Sequence, residues 1–248
     1  MTVIYEEPGW SQYKVNSHEP HLQVEPLSQE IAVVDAALAT LVEARILPDA
    51  RYDKDKFLAH RTAVRERFDI PWTAITPRMQ RLLYAINAIA QPRVMVAIGV
   101  FCGNTFISNA GAAIGPGMCY RADRVVGIEI RSDEADRARR NVATLATHGV
   151  QVEILGEDGI AWLQSMQEKI DLLYIDADGP QGRGKSIYLD ILEAGLHTLR
   201  PGSLILAHNS VNSARQLVDY LTYVRNPEHF RASANMIVDD QGLEVSIY

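Results

Sequence analysis

The sequence predicts an α/β protein: a doubly wound, mostly parallel seven-stranded sheet, Rossmann-like, with N-terminal helices and a C-terminal antiparallel hairpin. Three observations predict it. From Arg93 onward, short apolar runs alternate with stretches whose apolar residues recur at three- and four-residue spacing. Five strands separated by helices of this length require right-handed crossovers, and so a parallel sheet with helices on both faces. Residues 233–248 then break the rhythm: two strand-like runs, 233–238 and 243–248, flank the turn Asp239-Asp240-Gln241-Gly242 and read as a hairpin.

The elements follow in order. Residues 1–27 are polar, carry prolines at 8, 20 and 26, and read as an irregular arm. Ser28 is placed to cap a helix through IAVVDAALATLVEARIL, which Pro48 and Asp49 end. A second helix covers 53–68 and stops at Pro71, and Thr76-Pro77 opens a third that runs to Ala90. The chain thus divides into an arm with helices (1–75) and an α/β domain (76–248). Strands are expected at 94–98, 125–130, 151–155, 172–175 and 203–207, with helices at 104–113, 132–147, 159–168, 186–199 and 212–225.

Composition narrows the function classes. A chain of 248 residues, 47% hydrophobic and 22% charged, has the profile of a globular protein with a core of its own. A net charge of -7 argues against a nucleic-acid backbone as the main partner. The two cysteines, Cys102 and Cys119, form no CxxC pair, which argues against a disulfide framework or a zinc–cysteine site. The start, MTVIYEEPGW, has no signal-peptide pattern, and no run reaches the ~18 apolar residues of a membrane span, so a cytoplasmic protein without a membrane partner is expected.

The candidate site lies at the strand ends, where open α/β sheets bind ligands. The first strand breaks at Gly99-Val-Phe-Cys-Gly103-Asn-Thr105 and restarts as a helix, leaving backbone N–H groups for a polar, nucleotide-like ligand. Glu129, in GIEI, ends the second strand, where a carboxylate can accept two hydrogen bonds from a ribose diol. Asp158, in GEDG, follows the third, near where an adenine amino group would lie. Each has a plainer reading: the glycines only shape a turn, Glu129 is a surface acid, Asp158 only caps the next helix. At the fourth and fifth ends, IDAD supplies Asp176 and Asp178, and AHN supplies His208 and Asn209. If those strands are neighbours, Asp176, His208 and Asn209 converge as a carboxylate, an imidazole and an amide, a set that suits a divalent cation with open positions. The plainer reading makes Asp176 a backbone-orienting acid and His208 a hydrogen-bonded loop histidine.

Taken together, GVFCGNT, GIEI, GED, IDAD, Lys185-x-x-Tyr188 and HN resemble S-adenosylmethionine-dependent class I O-methyltransferases of the catechol and caffeoyl-CoA type, over residues 76–248. The resemblance implies that Gly99, Gly103 and Thr105 surround the methionine part of the cofactor, that Glu129 holds the ribose, and that Asp158 lies near the adenine. It puts Asp176, beside the cofactor, with His208 and Asn209 on the family's metal-ligand positions, and Lys185 on its active-site lysine, after a six-residue insertion, Gly179-Pro-Gln-Gly-Arg-Gly184. The implied activity moves a methyl group to a hydroxyl of a small molecule, with Lys185 or His208 taking the proton. The chain departs from the pattern twice. Ala97 stands where the family has an acidic residue, and His208 where it has aspartate, which favours manganese, iron or zinc over magnesium. Two alternatives therefore stay open: metal-independent O- or N-methylation with His208 as base, or a protein that binds S-adenosylmethionine without methylating. Trp10, Tyr13, Phe68 and Trp72 either cover an acceptor pocket or pack a homodimer interface or a satellite core.

Overall fold

The computed structural model describes residues 2–14, 16–73 and 75–248. Three helices lead in: α1 (Leu27–Glu43), α2 (Lys54–Arg67) and α3 (Pro77–Ala90). Asp53 and Thr76 cap the second and third, their side chains accepting from the N–H groups of Lys56 and Met79. The α/β region then runs β2 (Val94–Ile98), α4 (Asn104–Ala110), β3 (Arg124–Ile128), α5 (Ser132–Val142), β4 (Gln151–Leu155), α6 (Gly159–Ser165), β5 (Leu172–Ile175), α7 (Tyr188–Gly195), β6 (Leu204–His208) and α8 (Val218–Val224). The hairpin β7 (Ala232–Ile237) and β8 (Leu243–Ile247) closes it, and β1 (Val3–Glu6) comes from the arm.

The sheet has eight strands, not seven, in the order β1-β7-β8-β6-β5-β2-β3-β4. Strands β2 to β6 are parallel, whereas β8 runs antiparallel to β6 and β7. The additional strand is β1, which pairs parallel with β7 within the arm expected to be irregular. Four residues among polar ones give no periodic signal; the pairing arises from an open sheet edge far away in the sequence.

Other differences lie at element ends. Helix α1 starts one turn before Ile31, directly after Pro26, and stops at Glu43, because Arg45 adopts a left-handed φ of 57°. Helix α8 starts at Val218 rather than 212, since residues 210–216 form turns held to the hairpin by Val211 N–H donating to the Gln241 carbonyl (2.8 Å). Strand β3 ends two residues early, placing Glu129 just past it, and β6 runs one residue late, making His208 its last member, paired with Leu243.

Two apolar layers enclose the sheet. One combines Leu38, Leu41 and Phe57 of the N-terminal helices with Met95, Ala97 and Tyr174 of the strands. The other packs Leu163, Ile191 and Tyr220 against Val96 and Ile205. The N-terminal segment and the α/β region therefore share one core. Among the described residues, no helix is long and apolar enough to cross a membrane.

His60 of α2 lies fully buried, stacked on Tyr84 with ring centroids 5.5 Å apart, and its Nδ1 has no partner among the described residues. Burial, with Arg61 nearby, pushes its pKa down to about 3. A histidine whose folded pKa is depressed stays neutral in the native state, while the unfolded chain protonates below ~6.5. Stability is thus complete above ~6.5 and falls as pH drops from there towards 3, by about 2 kcal/mol at pH 5. Urea unfolding at pH 7.5 and 5.0 should show that loss in the wild type and a flatter response in His60→Gln.

Candidate functional site

The order of strands reverses between β5 and β2, so the loops after these two diverge and leave a crevice at their carboxyl ends. A cavity of about 580 Å³ lies there. Gly99, Glu129, Asp158, Asp176 and Lys185 all line it, from four different strand ends.

The first wall is the loop after β2. Gly99 (φ 81°), Phe101 (φ 48°) and Gly103 (φ 91°) are left-handed, which folds the chain tightly before α4. At Gly99 a Cβ would lie 2.6 Å from the Asp176 carbonyl oxygen and 2.7 Å from Ala177, so only glycine lets β2 and β5 end this close together. Thr105 lines the cavity with its Oγ1 3.5 Å from the Gly99 oxygen. Gly103 sits at the N-cap of α4, behind that wall. Ala97, two residues before Gly99, is fully buried in the core.

Glu129 is tied to this loop. Its Oε2 accepts from the Phe101 N–H (2.8 Å) and its Oε1 from the Arg131 N–H (3.1 Å). Each carboxylate oxygen keeps a free lone pair for a ligand hydroxyl. Asp158 is the N-cap of α6, its Oδ1 accepting from the N–H groups of Ile160 (2.8 Å) and Ala161 (3.1 Å). It caps and it faces the cavity, so the two sequence readings are compatible.

The fourth end carries the charge. Lys185 Nζ donates to Asp176 Oδ1 at 2.9 Å and lies 3.4 Å from Asp178 Oδ2. His208 Nδ1 lies 3.2 Å from Asp176 Oδ2, since β5 and β6 are neighbours with Ile175 opposite Ala207. Burial favours a neutral carboxyl at Asp176, but the Lys185 ammonium and His208 outweigh it and hold the group well below the usual carboxylate range. Burial likewise disfavours the Lys185 charge, and Asp176 and Asp178 overcome it, raising that ammonium above the ordinary lysine range. The two are an ion pair at neutral pH.

His208 is fully buried, does not line the cavity, and its Nε2 has no partner among the described residues. Asn209, nearly buried, takes a left-handed φ of 67° and starts the turns that follow, also outside the cavity wall. The structure thus joins Asp176, Lys185 and His208 directly, with Asn209 next in the chain. Among the described residues, no three His, Cys, Asp or Glu side chains are grouped to hold a metal ion.

Sequence reasoning gave no role to three contributors, although it used Tyr188 in the motif that places Lys185. Tyr174 and Tyr188 place their hydroxyls 3.3 and 3.4 Å from the Asp176 carboxylate, one from each core layer. Period-two alternation from Tyr174 to Asp176, and one helical turn from Lys185 to Tyr188, carry that signal. Gln216 is the third: its Oε1 accepts from the Lys185 N–H (2.7 Å), while Gly179 and Gly184 bridge across the insertion. Of the four N-terminal aromatics, Trp72 alone lines the cavity, its ring 4.4 Å from that of Phe101. Tyr13 packs under Arg78, and Phe68 belongs to the core.

Comparison with known proteins bears on this arrangement. A family model described as a methyltransferase domain matches residues 96–210, the span from β2 to just past β6. No curated protein matches the chain. Among solved structures, an O-methyltransferase from Bacillus cereus, in complex with S-adenosylhomocysteine, is 20% identical, with a TM-score of 0.54 over 80% of this chain and 92% of that one. A methyltransferase from Geobacter sulfurreducens is 25% identical, with a TM-score of 0.54 over 79% and 90%. A Podospora anserina methyltransferase, also bound to S-adenosylhomocysteine, is 15% identical, with a TM-score of 0.59 over 92% and 99%.

Proposed function

We propose that this chain, a class I S-adenosylmethionine-dependent methyltransferase by its domain and its fold, moves the methyl group to a hydroxyl of a small molecule that enters beside Lys185. The observation that carries the reading is that one cavity holds the glycine loop and Glu129 on one side and the Asp176–Lys185 pair on the other. The first half fits the cofactor: a loop folded tightly by left-handed Gly99, Phe101 and Gly103 beside the cavity, and a carboxylate with free lone pairs at the position for a ribose diol. Gly99, Gly103 and Thr105 would surround its methionine part, and Asp158 would lie by the adenine, with Oδ2 free of the helix cap. When bound, the cofactor supplies an electrophilic sulfonium methyl.

The protein's remaining task is to orient and polarise the acceptor oxygen. Lys185 is the group at hand: a buried ammonium facing the cavity stabilises the charge that grows on a hydroxyl oxygen as it loses its proton. Trp72, Ile75 and Ile187 line the same space and suit a flat, apolar acceptor body, so phenols and catechols are the substrates of choice. His208 serves as a positioning residue, fixing Asp176 from behind, because its ring does not reach the cavity. A divalent metal, whether magnesium, manganese, iron or zinc, does not fit the donor set as it stands. The Lys185 ammonium occupies the free face of Asp176 Oδ1, and a second cation there would meet a like charge. No step of the mechanism is routed through one.

The test is turnover. Incubation with S-adenosylmethionine and a panel of catechols and phenols should yield S-adenosylhomocysteine and methyl ether in equal amounts. Tight cofactor binding with turnover only on amines would replace the reading with N-methylation. Glu129→Ala should raise the dissociation constant for S-adenosylmethionine at least about tenfold in calorimetry, as loss of charge-assisted hydrogen bonds requires.

A further inference from the structure

Resting on the methyl-transfer reading, we infer that the Lys185 ammonium, paired with Asp176, itself supplies the fixed positive charge that a metal on Asp176 would supply, and that Asp178 receives the acceptor proton. A metal polarises an acceptor oxygen by putting a fixed positive charge beside it. Lys185 meets that description. Its side chain is only 12% exposed, and its Nζ sits 2.9 Å from Asp176 Oδ1. Its backbone N–H is anchored on Gln216, and the bridge between Gly179 and Gly184 closes the insertion just before it.

Among the contacts around the Asp176 carboxylate, the short one is to the Lys185 ammonium, with two tyrosine hydroxyls and a histidine farther out. Asp176 Oδ1 takes Lys185 and the Tyr188 hydroxyl, and Oδ2 takes the Tyr174 hydroxyl and faces His208 Nδ1. A hard cation would need those lone pairs for itself. An ammonium has three N–H groups. One makes the short bond to Asp176 Oδ1, whereas the Asp176 carbonyl and the Asp178 carboxylate lie at 3.4 Å, contacts loose enough for an acceptor oxygen to replace.

The proton then has a nearby destination. Asp178 lines the cavity, lies 3.4 Å from Lys185 Nζ, and its side chain is 70% exposed. The acceptor O–H proton passes to Asp178 and on to water. The oxygen lone pair forms the new C–O bond as the C–S bond breaks and its electrons return to sulfur, so atoms and charge balance.

Manganese(II), followed by electron paramagnetic resonance, tests the idea without needing an acceptor. The chelator-treated wild type should bind no stoichiometric Mn²⁺ up to millimolar concentration and should methylate catechols undiminished by chelation. Lys185→Ala should lose at least about a hundredfold in kcat and gain a Mn²⁺ site, while Lys185→Arg should still exclude Mn²⁺. Asp178→Asn should lower kcat at least tenfold. Calorimetric binding of S-adenosylmethionine establishes that each variant is folded. Stoichiometric Mn²⁺ in the wild type, activity lost on chelation, or a Lys185→Ala variant that takes up no Mn²⁺ overturns the assignment, and an Asp178→Asn variant with unchanged kcat overturns the proton route. If no form methylates any hydroxyl, the methyl-transfer reading fails while the Mn²⁺ result still decides the cation question.

Discussion

Gly99→Ala should abolish measurable S-adenosylmethionine binding and lower the thermal midpoint by about 10 °C. Two costs add. An alanine at φ 81° costs ~1–2 kcal/mol from the backbone conformation alone. Its Cβ would also press within 2.6–2.7 Å of the backbone of Asp176 and Ala177, which cannot swing aside as a long side chain can. Relief requires the ends of β2 and β5 to separate, an overpacking cost of ~1–3 kcal/mol. For a domain this size ~1 kcal/mol corresponds to ~2–4 °C. The same separation widens the crevice and moves Asp176, so binding is lost along with stability. Calorimetry and a thermal melt read the two effects separately. A variant that binds normally with an unchanged midpoint would show that the close approach of the two strands is not required.

Glu30→Ala should destabilise the protein by about 3–5 kcal/mol without altering the residues of the cavity. Glu30 of α1 is fully buried and accepts from Arg61 of α2 at 2.8 and 2.9 Å and from Arg81 of α3. Arg81 is itself fully buried, and both guanidiniums stack on Phe57, at 4.5 and 4.3 Å from its ring. Removing the carboxylate leaves a buried positive charge uncompensated, which costs far more than an exposed ion pair gains. Replacing Glu30 and Arg81 together by apolar residues of similar size should recover most of the loss. Urea unfolding of the two single variants and the double variant measures this as a coupling energy. If Glu30→Ala alone costs under ~1 kcal/mol, the three-helix clamp is not what fastens the N-terminal segment to the sheet.

Much of this was legible in the sequence, for reasons that can be located. The inner strands β2 and β5 are buried along their length and read as unbroken apolar runs, so 94–98 and 172–175 match to the residue, whereas the edge strand at 151–155, QVEIL, is legible from its alternation of polar and apolar residues. Topology then fixes which strand ends meet, which is why Gly99, Glu129, Asp158, Asp176 and Lys185 could be grouped from one chain. What the sequence hid depends on distant partners. His208 was expected beyond β6, but β8 pairs with that residue and draws it into the sheet. The tyrosine hydroxyls on Asp176 come from opposite layers, and Trp72 meets Phe101 across 29 positions of chain (101 − 72). Helix ends slipped where a left-handed residue or a tertiary hydrogen bond, rather than a proline, stops the helix.

The short strand β1 has a consequence for how the molecule meets its neighbours. Strand β7 is almost entirely buried, and without β1 its outer edge would offer six residues of unpaired backbone for another chain to extend. β1 covers that edge with only four residues, alternately shielded and exposed, and ends at Glu6-Glu7-Pro8, where like charges and a missing N–H discourage a further strand. The polar arm thus acts as a terminator of sheet growth, trading a long sticky margin for a short charged one.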